Sequence, residues 1–214
     1  MTHPTTKTQQ TFAAIGAIMA WVAVLLQLYL IIVNRTVSIP ETLVRFFSYF
    51  TVLTNILVAI CCSFLLQKNA SSKTAIFFNN PVSTTAIAVY ITIVGLVYNI
   101  VLRSLWSPQG LQFVVDELLH SVVPIYFVLY WLMFVPKTSL KWEYFFAWLI
   151  YPFCYMVAIL LLGSSSKFYP YPFMDVSIHG YNKVLTNSAA ITMAFVLVSL
   201  LFIGIAKLFA LRTK

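Results

Sequence analysis

An all-α bundle of six membrane-crossing helices is the fold class that this sequence predicts, on three observations. Of its 214 residues 61% are hydrophobic and only 8% are charged, against roughly 25% charged in an ordinary soluble domain. The mean hydropathy is +0.92. The apolar residues gather into six runs, 11–33, 43–66, 82–103, 112–135, 142–162 and 184–208, each near or beyond the ~20 residues that cross ~30 Å of hydrocarbon at ~1.5 Å per residue. The first run exceeds the length of a signal-peptide core and no small-residue cleavage site closes it, so it is read as a span.

The elements follow in order. Ser38 and Glu41 form a capping-box pattern at the start of the second run, which lets the serine and the glutamate satisfy each other's backbone N–H groups. Asn80-Pro81 opens the third, Ser107-Pro108-Gln109-Gly110 turns into the fourth, and Pro136 with residues 137–141 separates the fourth from the fifth. Links this short join antiparallel neighbours, so one transmembrane domain over residues 1–214 is expected. The exception is the connection 163–183, rich in Tyr, Phe and Pro and carrying Asp175 and His179. The plainer reading makes it an aromatic belt at the headgroup level; the other folds it back as a lid over the bundle mouth.

Six spans put both termini on one side. Eight basic residues (Lys7, Lys68, Lys73, Lys137, Lys141, Lys207, Arg212 and Lys214) fall on the terminal side and five (Arg35, Arg45, Arg103, Lys167 and Lys183) on the other. The positive-inside rule therefore predicts cytoplasmic termini. The net charge of +8 suits anionic lipid, and a nucleic-acid partner is not needed. Cys61, Cys62 and Cys154 all sit inside predicted spans, where they read as small apolar packing residues rather than disulfides or zinc ligands.

Polar groups collect toward the non-terminal end. Ser48, Thr51 and Asn55 are spaced three and four apart and share one helix face, with Thr54 on its flank. Tyr98, Asn99 and Arg103 close the third run, Gln27 belongs to the first, and Asn187 and Ser188 to the last. In the fourth run Asp116 and Glu117 precede His120 by four and three residues, where a carboxylate can stabilise the imidazolium or fix a tautomer. Pro124 has no N–H, so the His120 carbonyl loses its helical partner. Helical rise places His120 ~12 Å and Thr51 ~14 Å below the non-terminal surface. Ionisable groups at such depth cost ~2.5–3.5 kcal/mol each and mark functional paths. The i, i+1, i+4 set converges poorly on a metal, and neither metal nor cofactor is expected. A hydroxyl, a base and an orienting acid are the parts of nucleophilic catalysis, and Thr51, His120 and Asp116 or Glu117 supply them from two helices.

The segments FSYFTVLTN (47–55) and DELLHSVVP (116–124) resemble those of the androgen-induced gene family, which includes androgen-dependent TFPI-regulating proteins and bacterial membrane proteins. Span number and spacing, and the Tyr-Pro-Phe segment before the last span, extend the likeness along nearly the whole chain. The resemblance, closest to the bacterial branch, implies a multipass threonine hydrolase of a bacterial cell membrane that cleaves fatty acid esters of hydroxy fatty acids or similar lipid esters, with the site opening outward. It places the nucleophile on Thr51 and the base on His120, with Thr54 as the competing hydroxyl. Asp116 or Glu117 is then expected to hold the imidazole, Asn55, Asn99 or Arg103 to stabilise the oxyanion, and Ser48 to support the layer. Two rival readings use the same residues: a transporter or lipid-binding protein with a proton relay, against which no inverted repeat or Gly/Pro-broken spans are found, and a bundle whose polar groups merely satisfy one another.

Overall fold

In a computed structural model, residues 6–67 and 72–212 are described, Arg212 by its backbone alone. Lys68, Lys214 and the Arg212 side chain, which enter the charge count, lie outside the described residues. Eight α-helices form among the described residues: α1 (Lys7–Val33), α2 (Ile39–Phe47), α3 (Phe50–Leu65), α4 (Lys73–Asn79), α5 (Pro81–Leu102), α6 (Leu111–Phe134), α7 (Tyr144–Ser166) and α8 (Val176–Arg212). Five are long and apolar enough to cross a membrane, and the α2–α3 pair makes a sixth if counted as one broken span. The chain is an all-α, multipass integral membrane protein.

The second span departs from expectation. Residues 43–66 do not form one helix: α2 and α3 meet at 73°. Ser38 caps α2 by accepting from Glu41 N, but the Glu41 carboxylate pairs with Arg45 at 2.6 Å instead of closing the box. Tyr49 is extended at the break, and no Gly or Pro marks it. Two tyrosines from far along the chain satisfy the opened backbone. Tyr155 donates to Ser48 O at 2.7 Å and accepts from Phe50 N at 3.2 Å; Tyr171 accepts from Thr51 N at 3.2 Å. Without such partners each bare peptide group in hydrocarbon would be costly, so the break exists only where protein surrounds it.

α5 and α6 each carry one wide π-turn, Tyr98–Leu102 and Leu118–Val122. Their axes approach because Gly95 faces α6; a Cβ there would lie 3.2 Å from His120 O and 3.3 Å from Pro124 Cβ. α1 packs on α3 through Ala13, Ala17, Ala20 and Ala23, all buried, with Gly16 facing Cys62 and Tyr126. Small residues at this spacing let two backbones come close.

Cys61 and Cys62 are buried as expected, whereas Cys154 is exposed on α7 and packs no core. α7 itself is only 11% buried along its most apolar stretch, against 56% for α5. It stands off from the bundle and leaves a gap toward α5 and α8.

The long connection folds back over the bundle. Tyr171 and Met174 are buried, Tyr169 fills the space over Gly163, where a Cβ would collide with its ring, and Asn187 Nδ2 donates to Phe173 O at 2.9 Å. Residues 167–175 form a strap, and the simple belt reading is corrected. Helix α8 also starts earlier than its apolar run, at Val176, with a break at Gly180 (φ 70°).

Candidate functional site: two cavities sharing a wall

Two cavities meet beneath the strap. One, of about 500 Å³, is lined by polar groups from α1, α2, α3, α5 and α6, among them Gln27, Arg45, Thr51, Gln112, Asp116 and His120. The other, of about 360 Å³, lies in the gap beside α7 and is apolar, with Ile93, Phe146, Phe153, Met156, Ile191 and Phe195 on its wall. Thr51, Tyr98, Leu102 and Tyr171 line both.

Thr51 is the second residue of α3, so the helix break places its side chain at the junction. Its Oγ1 lies 3.2 Å from the Tyr171 hydroxyl. Thr54, the competing hydroxyl, is fully buried, lies 3.4 Å from Tyr151 Oη and lines neither cavity.

His120 sits in the α6 π-turn. Its Nδ1 is 2.9 Å from Asp116 O. A carbonyl can only accept, so Nδ1 carries a proton, and in the neutral imidazole the lone pair is on Nε2. Nε2 takes no hydrogen bond among the described residues, and the ring lines the polar cavity. The imidazole is thus oriented by the Asp116 backbone and not, as expected, by an Asp116 or Glu117 carboxylate. The Asp116 side chain accepts from Tyr98 Oη at 2.8 Å and from Gln112 Nε2 at 3.4 Å, and Gln112 also donates to Gln27 at 2.9 Å. Tyr98 in turn stacks on the His120 ring, centroids 3.9 Å apart. The carboxylate therefore fixes the ring against which the imidazole lies.

Glu117 faces elsewhere. It pairs with Arg103, whose guanidinium also reaches Ser121 Oγ at 3.4 Å, and both line a third hollow that shares Tyr98 and Trp106 with the polar cavity.

The two asparagines are framework. Pro124 cannot donate, which strands the His120 carbonyl in an α register and the Leu119 carbonyl in a π register. Asn99 Nδ2 donates to His120 O at 3.3 Å and to Gly95 O at 2.9 Å; Asn55 Nδ2 donates to Leu119 O at 3.2 Å and to Thr51 O at 2.9 Å. Their amide donors are engaged, so neither Asn55, Asn99 nor the Glu117-paired Arg103 is the expected oxyanion donor. Ser48 Oγ is spent on Val44 O at 2.6 Å. Of the last helix's pair, Ser188 lines the apolar cavity while Asn187 holds the strap.

The sequence reading did not single out Tyr171, Tyr155 or Gln112. Tyr171 lies in the aromatic connection, where a buried hydroxyl and a headgroup anchor have the same letters. Burial pushes its hydroxyl up to about 12, so it keeps its proton at ordinary pH.

Compared with protein-family models, with curated proteins and with solved structures, the chain matches none.

Proposed function

We propose that this protein is an intramembrane hydrolase of lipid esters, with Thr51 as nucleophile and His120 as general base, as the resemblance to the androgen-induced gene family implies. One observation carries the reading: Thr51 stands on the wall shared by a polar and an apolar cavity, and His120, its Nδ1 tied to Asp116 O, stands on the wall of the polar one. An ester is a polar link between an acyl chain and an alcohol. Such a molecule, entering through the gap beside α7, would lay its acyl chain among Phe146, Phe153 and Phe195 and its alcohol part in the polar cavity, with the carbonyl at Thr51.

Thr51 Oγ1 would attack the carbonyl carbon while Nε2 takes its proton and returns it to the leaving alcohol. The Asp116 carboxylate, close by through Tyr98, favours the transient imidazolium. The oxyanion would meet the first turn of α3, whose N-terminal end carries partial positive charge. Cytoplasmic termini and a site opening to the outer face belong to the same proposal, supported by the distribution of basic residues, and a bacterial cell membrane belongs to it through the resemblance alone.

Hydrolysis of a panel of lipid esters by the purified protein tests this, with Thr51→Ala and His120→Ala run beside it. Loss of activity in both supports the roles; activity unchanged in Thr51→Ala removes the nucleophile assignment.

A second reading has its own observation. The broken second span, whose Gly/Pro signal the sequence lacks, is a feature that transporters share. Proton-coupled flux in proteoliposomes without ester cleavage would favour it.

A further inference from the structure

Tyr171 is anchored as firmly as any residue of the site. Its ring stacks on Phe173 at 5.3 Å and meets Tyr49 edge-on at 5.8 Å. Its oxygen already accepts the Thr51 N–H at 3.2 Å, which leaves its own proton to give, and Thr51 Oγ1 is 3.2 Å away. The neighbouring Tyr155 is a useful contrast. Its hydroxyl also bonds the α3 break, at Phe50 N and Ser48 O, yet no hydrogen bond joins it to Thr51 or His120 among the described residues.

We propose that Tyr171 is a third catalytic residue, delivered by the strap, whose hydroxyl donates to Thr51 Oγ1 and stabilises that oxygen when it attacks and when it departs. This rests on the hydrolase reading and adds a role to the 167–175 strap. In acylation, Oγ1 bonds to the ester carbonyl carbon, the Thr51 proton passes to His120 Nε2, and the carbon–oxygen bond to the alcohol breaks as the alcohol takes that proton. In deacylation, water adds to the acyl carbonyl and gives a proton to Nε2. The bond from Oγ1 to the acyl carbon then breaks, and the imidazolium returns the proton to Oγ1. Water is the only co-reactant, and a fatty acid and an alcohol are the products. Tyr171 keeps its proton throughout. Its hydrogen bond counts most where Oγ1 carries negative charge, and an ester oxygen is a far poorer acceptor than an alkoxide. The second step, in which a threonine alkoxide must leave, therefore depends on it most.

The test uses the full chain in detergent micelles with p-nitrophenyl decanoate, whose good leaving group makes deacylation the slow step. For Tyr171→Phe, which keeps the ring contacts, kcat should fall about 10²-fold, the scale of losing one oxyanion donor. Intact-protein mass spectrometry should show an acyl adduct accumulating. Tyr155→Phe, which removes bonds to backbone groups only, should lower the thermal midpoint without an acyl adduct accumulating. Should Tyr171→Phe fail to fold, 3-fluorotyrosine in place of Tyr171 is isosteric and more acidic, and should change kcat where fluorination of Tyr155 does not. Equal kcat in wild type and Tyr171→Phe overturns the inference alone, as does a kcat loss that Tyr155→Phe matches without any adduct; an unchanged kcat with the fluorotyrosine does the same. A wild type that cleaves no ester removes the hydrolase reading and this inference together.

Discussion

Both ends of the bundle hold buried polar side chains, and they are used to opposite effect. At the terminal end they close on one another. Trp131 Nε1 donates to Thr85 Oγ1 at 2.9 Å and Thr85 to Pro81 O at 2.6 Å. Lys137 Nζ caps α6 by donating to the carbonyls of Trp131, Leu132 and Val135 at 2.6–2.9 Å, and Gln9 reaches Tyr130 at 3.1 Å. These donors are used inside the protein, and the two atoms left buried without a partner in this half among the described residues, Trp148 Nε1 and Ser199 Oγ, belong to residues that line none of the cavities. At the other end the helices themselves are irregular, Asn55 Oδ1 and Arg45 Nε are buried without a partner, and His120, whose Nε2 takes no hydrogen bond among the described residues, lines a cavity. Polar content alone thus says little about function. Hydrogen-bonding capacity left over beside open space says more, because a fold tolerates that cost only when something else uses it.

The contrast can be broken by mutation, and the largest effect is expected at the junction. Thr51→Ala should reduce ester hydrolysis by about 10³-fold or more, since a lost nucleophile leaves only binding and electrostatics, while Thr54→Ala stays within about threefold in the same assay. His120→Ala should cost about 10²–10⁴-fold, the range of general-base catalysis, without loss of thermal midpoint. At the opposite end the pattern inverts: Thr85→Val leaves the Trp131 N–H unpaired and should cost about 1–3 kcal/mol of stability with kcat unchanged. Gly95→Ala sharpens the comparison, because it strains the α5–α6 contact under His120. A stability loss of about 1–3 kcal/mol should come with reduced turnover. The smallest effect belongs to Asn99→Leu, about 1 kcal/mol for the amide bonds to Gly95 O and His120 O, read as a modest fall in midpoint and in kcat.

Most helix positions were legible because they depend on local facts. The lengths of the apolar runs, Ser38, Asn80-Pro81 and Gly110 are enough to set α1, α5, α6 and α7 within a few residues. The stranded carbonyl before Pro124 was also legible, since a missing N–H is a property of the residue itself. Its acceptors' partners were not: Asn55 and Asn99 come from different helices, and their letters are equally those of oxyanion donors. The break at Ser48–Tyr49 escaped for a related reason. Nothing in residues 46–50 enforces it; Tyr155 and Tyr171, more than a hundred residues on, make it affordable. The strap was misread because burial of its aromatics depends on the space that Gly163 and the α3 break leave for them.

The wide turn at Leu118–Val122 has a consequence for how this chain can change over time. Such a turn holds one residue more than its ordinary counterpart, so it marks the footprint of a single-residue insertion. Removing one residue there would restore regular winding and leave the helix before and after it facing nearly as they do now, because the wide turn absorbs its extra residue without adding rotation. The carbonyl that Pro124 leaves without a partner would move by one position, and the His120 segment would be redrawn. In the regular stretches of α6 the same deletion would instead swing one half of the helix by about 100° relative to the other.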